Sequence, residues 1–188
     1  MRLFVAVCFD DTTKSRLLAI QEHIKSQSAR GNFSRPENLH LTLVFIGEVD
    51  DNLAPVIISI VKNAIPTEHK KIAVNFDKTG CFRHSGKELW WIGCGTILNE
   101  MTEAGLAALA DIRRKIGEAL DAEGIHYDRR PFSAHITLGR EIKPISHIVS
   151  ETINKDQAMN VPITRISLMK SQHINRKLTY TEIFGQNL

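Results

Sequence analysis

RPENLHLTLVFIGEV, residues 35–49, is an apolar run broken by two polar side chains, His40 and Thr42. Side chains in a strand alternate faces with period two. His40 and Thr42 therefore share one face, and Leu41 and Leu43 take the other. RPFSAHITLGR, residues 130–140, repeats the pattern, with His135 and Thr137 opposite Ile136 and Leu138. The chain thus builds twice a strand with an apolar side for the core and an imidazole-plus-hydroxyl side. If the two polar faces meet across a groove, two histidines and two threonines line it. That set suits proton transfer at a phosphate ester. One His-x-Thr in a strand is more often structural than chemical. Two copies in matching apolar contexts are much harder to explain by chance.

Working outward, Arg2 to Phe9 reads as a first strand, and Asp10 and Asp11 can cap a helix over Thr12 to Gln27. Gly31 to Asn38 reads as a loop leading into the first motif strand. A second helix begins at Asp50 and Asp51 and ends before Pro66. Strands are expected at Lys71 to Phe76 and Glu88 to Cys94, with a loop between them carrying Gly80, Phe82, Arg83, His84 and Gly86. The longest helix, Asn99 to Glu123, has apolar residues at three-four spacing and Gly124 as its stop. A basic, aromatic loop, His126 to Phe132, enters the second motif strand. Val161 to Met169 and Lys177 to Phe184 read as closing strands. An Arg-Pro pair precedes each motif, at Arg35-Pro36 and Arg130-Pro131. The expected architecture is α+β and bilobal. Two pseudo-symmetric lobes, each a mainly antiparallel sheet with outer helices, pack face to face about a central cleft, with one His-x-Thr strand per lobe. Residues 1–188 are read as a single bilobal domain. The glycine-rich turn and regular alternation of a doubly wound nucleotide fold are missing.

Composition sets limits on partners. Hydrophobic residues make up 43% and charged residues 24%, enough for a real core. A net charge of +3 and a pI near 8.8 permit a polyanionic partner, without the dense basic stripe that long duplex wrapping requires. Cys8, Cys81 and Cys94 are odd in number and lack CxxC spacing, which points to a reduced, cytoplasmic compartment. The opening MRLFVAVCFDD turns acidic too early for a signal peptide, and no stretch approaches the ~20 apolar residues of a membrane helix.

The two motif segments resemble the paired signatures of the 2H phosphoesterase superfamily. More narrowly, they resemble the bacterial and archaeal RNA 2′,3′-cyclic phosphodiesterases, also described as 2′-5′ RNA ligases. MRLFVAVCF at the start, GCFRHSGKELWWIG at residues 80–93 and ITRISLMKS at residues 163–171 match in style, so the resemblance spans nearly the whole chain. It implies hydrolysis of RNA 2′,3′-cyclic phosphate ends, such as those of tRNA fragments, or of small cyclic nucleotides, to 2′-phosphomonoesters. It also implies reversible, ATP-independent 2′-5′ ligation. His40 would be the proton donor and His135 the proton acceptor. Thr42 and Thr137 would donate to the non-bridging oxygens. The expected scheme uses no metal and no cofactor. A cytoplasmic monomer with no membrane partner is the default expectation.

The chemistry itself is legible without the resemblance. Opening a cyclic phosphodiester needs a water deprotonated as it attacks and a ribose oxygen protonated as it leaves. Two histidines with ordinary values near 6.5 can do both at neutral pH, while sequence physics leaves open which does which. Arg140 ends the second motif and is a candidate phosphate ligand. Strict alternation places it on the parity of Ile136, so it reaches the groove only if the strand bulges. Arg130 and Arg35 precede the motifs, facing either backbone phosphates or solvent. Tyr127, Phe132 and Phe82 are candidates for stacking on a terminal base, with core packing the alternative for the two phenylalanines. Phe45 has core parity. The remaining histidines, His23, His69, His84, His126, His147 and His173, lack metal-ligand spacing. Arg113-Arg114-Lys115 reads as a solvated helix face. Ser133 has cleft parity but no triad around it. Two other readings compete with the hydrolase. One is a 2H module that binds a nucleotide without turnover; the other is a phosphodiesterase for a different cyclic or 2′-5′-linked nucleotide.

Overall fold

The computed structural model describes residues 1–66, 72–85, 87–94, 99–145 and 158–188. Within these, ten strands and three helices of eleven residues or more form an α+β fold whose strand pairs are all antiparallel. In chain order they are β1 (Arg2–Cys8), α1 (Asp11–Ser26), β2 (Ser28–Phe33), β3 (His40–Glu48), α2 (Ala54–Ala64), β4 (Ile72–Phe76), β5 (Lys78–His84), β6 (Lys87–Gly93), α3 (Glu100–Ala122), β7 (His135–Pro144), β8 (Met159–Ile163), β9 (Arg165–Ile174) and β10 (Lys177–Asn187).

The large sheet runs β10-β9-β1-β3-β7-β6-β5, with β2 also paired to β7. β3 and β7, the two motif strands, are central neighbours joined by one bridge, Leu41↔Ile136. On either side of that bridge lie four strands. The halves therefore meet edge to edge there, rather than face to face. The apolar sides of both motifs drain into one continuous core that includes Leu41, Leu43, Ile136, Leu138, Leu3, Trp90 and Ile166. Each core side chain of that size removed from water contributes about 1.5–3 kcal/mol.

The helices start and stop where side-chain chemistry dictates. The Asp10 carboxylate accepts from the Thr13 backbone N–H at 2.7 Å and opens α1. The Asn99 side chain does the same for Thr102 at 2.8 Å and opens α3. Gly124, at φ +67, closes α3 in the left-handed conformation that costs glycine nothing. Asp50 makes no side-chain cap, and the turn at Asp51–Leu53 is 3₁₀ before α2 begins.

Two expectations change here. The segment expected to end α1 and enter a loop instead forms β2, although SARGNF has no apolar alternation; its ladder to β7 supplies the order. The expected loop carrying Gly80 and Phe82 is strand β5, paired with β6 from Lys78↔Gly93 to His84↔Lys87. β4 pairs with β8, as a separate two-stranded sheet under α3. Pairing partners so far apart in the chain leave no local signal. Lys71, His69, Gly86 and His147 lie outside the described residues, as do the weakly read residues 146–157.

Candidate functional site

Both motif strands carry the same irregularity. On β3, Thr42 pairs with Ala6 and Val44 with Val5, so Leu43 has no partner. On β7, Thr137 pairs with Trp91 and Gly139 with Trp90, so Leu138 has none. Each is a one-residue bulge placed directly after the threonine. Consecutive buried positions follow, Leu43-Val44 and Leu138-Gly139, and the parity then reverses. The residue five after each histidine returns to the histidine face. On β7 that residue is Arg140, which lines the site. On β3 it is Phe45, expected in the core but found with Phe4, Ala6, Met169 and Tyr180 in a small second cluster on the His40 side.

The histidines are also held alike. His40 Nδ1–H donates to the Asn38 carbonyl at 2.7 Å, and His135 Nδ1–H to the Ser133 carbonyl at 2.8 Å. A carbonyl can only accept, so both protons are fixed on Nδ1 and both Nε2 atoms are left for chemistry. His40 Nε2 accepts from the Thr42 hydroxyl at 3.0 Å. Neither anchoring carbonyl was anticipated, though both lie two residues upstream of the histidine.

Their surroundings differ. The His40 ring sits between Phe4 (centroids 4.9 Å apart) and Tyr180 (5.2 Å). Burial, followed by the charges of Arg140 and His135, pushes the His40 imidazole down to about 4, against the pull of its bond to Asn38. The free protein therefore holds His40 neutral at pH 7. His135 is more open, edge-on to Phe82 (5.6 Å) and Trp91 (6.4 Å). Burial also raises the Tyr180 phenol, partly offset by Arg140 and Arg2.

An open pocket of about 440 Å³ adjoins His40 and is lined by Thr137, Arg140, Arg35, Lys177 and Tyr180, among others. The structure thus brings His40, Thr137 and Arg140 to one pocket. Thr42 lies behind His40 on its Nε2. His135 stands outside the pocket lining, near enough for its charge to act on His40. Arg130 and Tyr127 do not line the pocket. The Arg130 guanidinium is forked onto Asp128 and holds that carboxyl down to about 2. Tyr127 packs on Gly117 of α3 with Arg129 over its ring at 5.3 Å. Arg35 lines the pocket while pairing with Glu37 at 2.9 Å and donating to the Leu178 carbonyl. Among the described residues, two buried side-chain atoms lack a hydrogen-bond partner, Asn38 Oδ1 and Trp91 Nε1. Each belongs to a residue touching one of the two histidines, and such orphans call for an explanation such as a ligand or water. Tyr180, Lys177, Asn38 and Trp91 were not singled out as site residues, because nothing in sequence ties the last hairpin or β6 to the motifs. Among the described residues no group of three or more His, Cys, Asp or Glu is arranged to hold a metal. No helix among them is long and apolar enough to cross a membrane.

Comparison with known proteins identifies the fold and the family. An RNA 2′,3′-cyclic phosphodiesterase of Archaeoglobus fulgidus is 31% identical over 157 residues, covering 82% of this chain and 80% of that one. One from Methanothermobacter thermautotrophicus is 25% identical over 192 residues, covering 97% and 96%. TT0787 of Thermus thermophilus superposes with a TM-score of 0.78 at 24% identity, over 100% of this chain and 98% of that one. The E. coli LigT complexed with 3′-AMP shares the fold, with a TM-score of 0.71 at 22% identity over 100% and 97%. The family model of the 2′-5′ RNA ligase superfamily matches residues 12–175, both motifs included, and the chain belongs to that superfamily.

Proposed function

We propose that this protein hydrolyses RNA 2′,3′-cyclic phosphate ends to 2′-phosphomonoesters by acid–base catalysis between His40 and His135. One observation carries the reading: two bulged His-x-Thr strands side by side, each histidine fixed on Nδ1 and presenting Nε2. Its relatives carry the same activity in their names. Water oxygen bonds to phosphorus while its proton passes to His135 Nε2. The P–O3′ bond breaks and His40 Nε2 gives its proton to O3′. Thr137 and Arg140 offset the charge on the non-bridging oxygens, and Thr42, whose hydroxyl donates to His40 Nε2 in the free protein, is free to join them once that nitrogen carries a proton. Arg130 and Tyr127 contact substrate only if their present partners release them. With an RNA 5′-hydroxyl attacking in place of water, the same exchange joins a 2′-5′ linkage, and its reverse cleaves one. Nothing in the scheme draws on a cofactor.

His40 is neutral in the free protein, so it becomes a donor only by gaining a proton. Burial is the main force holding the imidazole down and the Arg140 charge adds to it; a phosphate anion beside His40 opposes both, and binding then takes up a proton. Calorimetric titration of 3′-AMP at pH 6 in buffers of different ionisation heat measures that uptake. Close to one proton is expected. No uptake would leave His40 without a proton to give and count against it as the donor.

The activity is tested with a short RNA ending in 2′,3′-cyclic phosphate, in EDTA, with the product identified. A 2′-phosphate end is expected. His40→Ala and His135→Ala should each lose about 10²–10⁴ in rate. Intact substrate with undiminished nucleotide binding would favour a binding module.

A further inference from the structure

Backbone geometry singles out one residue beside the site. Among the described residues, Ser85, Glu141, Asn175 and Arg176 are the non-glycine residues with positive φ. Ser85, Asn175 and Arg176 lie in the turns that follow β5 and join β9 to β10, where such values are ordinary. Glu141, at φ +54, lies inside strand β7 directly after Arg140, in a conformation that a long side chain rarely adopts. It forms a second bulge. Arg140 and Glu141 together oppose Leu89 of β6, between the pairs Trp90↔Gly139 and Glu88↔Ile142. Towards β2, Glu141 and Ile142 oppose Gly31, between Asn32↔Arg140 and Arg30↔Lys143. The kink returns Ile142 to the core, 1% exposed, where its tip closes over Gly31 and Gly139. A Cβ on Gly31 would come within 2.2 Å of Ile142 Cδ1, and one on Gly139 within 2.8 Å. The half-exposed Glu141 carboxylate ties β7 to both flanking strands. It pairs with Lys87 of β6 and accepts from Asn32 Nδ2 of β2 at 3.1 Å.

We propose that Glu141 is a positioning residue for the phosphate site: its left-handed backbone, clamped by Lys87 and Asn32, holds Arg140 on the histidine face. The inference rests on the hydrolase reading, in which Arg140 meets the non-bridging oxygens, and extends it. Ile142 is anchored in the core, and alternation counted back from it gives the unkinked arrangement. An extended Glu141 would face the histidines, and Arg140 would face the core. A carboxylate would then stand where the phosphate needs a guanidinium. Glu141 thus decides which sign of charge the site presents. An exposed ion pair such as Lys87–Glu141 adds little to global stability. Here it bears on a residue held off its preferred backbone, and such strain gathers at functional sites. Bulges beside active sites re-aim side chains in this way.

The test sets Glu141→Val against Glu141→Gly. A β-branched side chain resists the left-handed conformation, whereas glycine adopts it freely without the clamp. On 2′,3′-cyclic AMP, Glu141→Val should lower kcat/KM about tenfold, and Glu141→Gly should stay within about threefold of the unaltered protein. In an Arg140→Ala background, Glu141→Val should lose less than about twofold further, since its effect passes through the guanidinium. A full loss in that background would overturn the proposal and make Glu141 a general prop for β7. So would undiminished activity of Glu141→Val, or equal losses in Glu141→Val and Glu141→Gly. Should Glu141→Val fail to fold, Glu141→Ala takes its place, expected below Glu141→Gly and without effect in the Arg140→Ala background. If the unaltered protein does not turn over the cyclic nucleotide, the hydrolase reading fails on its own, and titration with adenosine 2′-monophosphate decides the positioning role. About tenfold weaker binding by Glu141→Val than by Glu141→Gly upholds it, and equal affinity refutes it.

Discussion

His40 has a folded-state value near 4, whereas the unfolded chain titrates it near the ordinary 6.5. Between those values the unfolded state binds the extra proton. Stability from this residue is therefore complete above about pH 6.5 and declines as pH falls toward about 4, by about 3 kcal/mol in all. His40→Asn should flatten that part of the dependence. Thermal midpoints of both proteins at pH 7.5 and 4.5 measure it, and parallel curves would contradict the assignment. Gln21 illustrates another residue-scale effect. Its buried amide nitrogen donates to the Ser34 and Leu138 carbonyls, each at 2.8 Å, stitching α1 to the strand carrying the second motif. Gln21→Ala should cost about 1–3 kcal/mol in denaturant unfolding, with activity falling if Thr137 shifts along with its neighbour.

At the scale of elements, the seating of α3 on β4 is set by a missing side chain. A Cβ on Gly105 would overlap the Ala73 carbonyl oxygen of the underlying strand. Helix propensity favours alanine over glycine by about 1 kcal/mol, but overpacking against backbone costs about 1–3 kcal/mol or more. Gly105→Ala should therefore lower the melting temperature. A rise would mean that the helix lifts without penalty. The bulges at Leu43 and Leu138 belong to this scale too. Period-two reasoning was right for His40, Thr42, His135 and Thr137, which lie before the bulges. It misassigned Phe45, which lies after one, and it made Arg140 depend on a bulge that strand propensity does not encode.

For the whole molecule, one continuous core crosses the bridge between the two four-stranded halves. We expect the halves to unfold together, as one domain over residues 1–188. A single calorimetric transition with matching van't Hoff enthalpy should result, and two resolved transitions would contradict it. Charge makes a second prediction at this scale. With a net +3 and few cations at the pocket, affinity for a cyclic-phosphate RNA should fall only gently with salt. A log–log slope of about −1 to −2 is expected, roughly one to three phosphate contacts' worth for a single strand. A much steeper slope would require a basic surface beyond Arg140, Arg35 and Lys177.

The sequence by itself determined what short-range chemistry can write. It set the two motif strands, the faces of their histidines and threonines, the cap at Asp10, and the stop at Gly124. Alternation, capping and left-handed turns act over a few residues and so leave a local trace. Tertiary structure decided the rest. It made a strand of Ser28–Phe33, paired β4 with β8, returned Arg140 to the histidine face and left Arg130 bound to Asp128. It also separated two identical tetrapeptide patterns electrostatically. His40 lies between Phe4 and Tyr180, whereas His135 lies on an open ledge. Burial is a property of what the distant chain brings alongside, and no spacing within His-x-Thr-Leu could have distinguished the two.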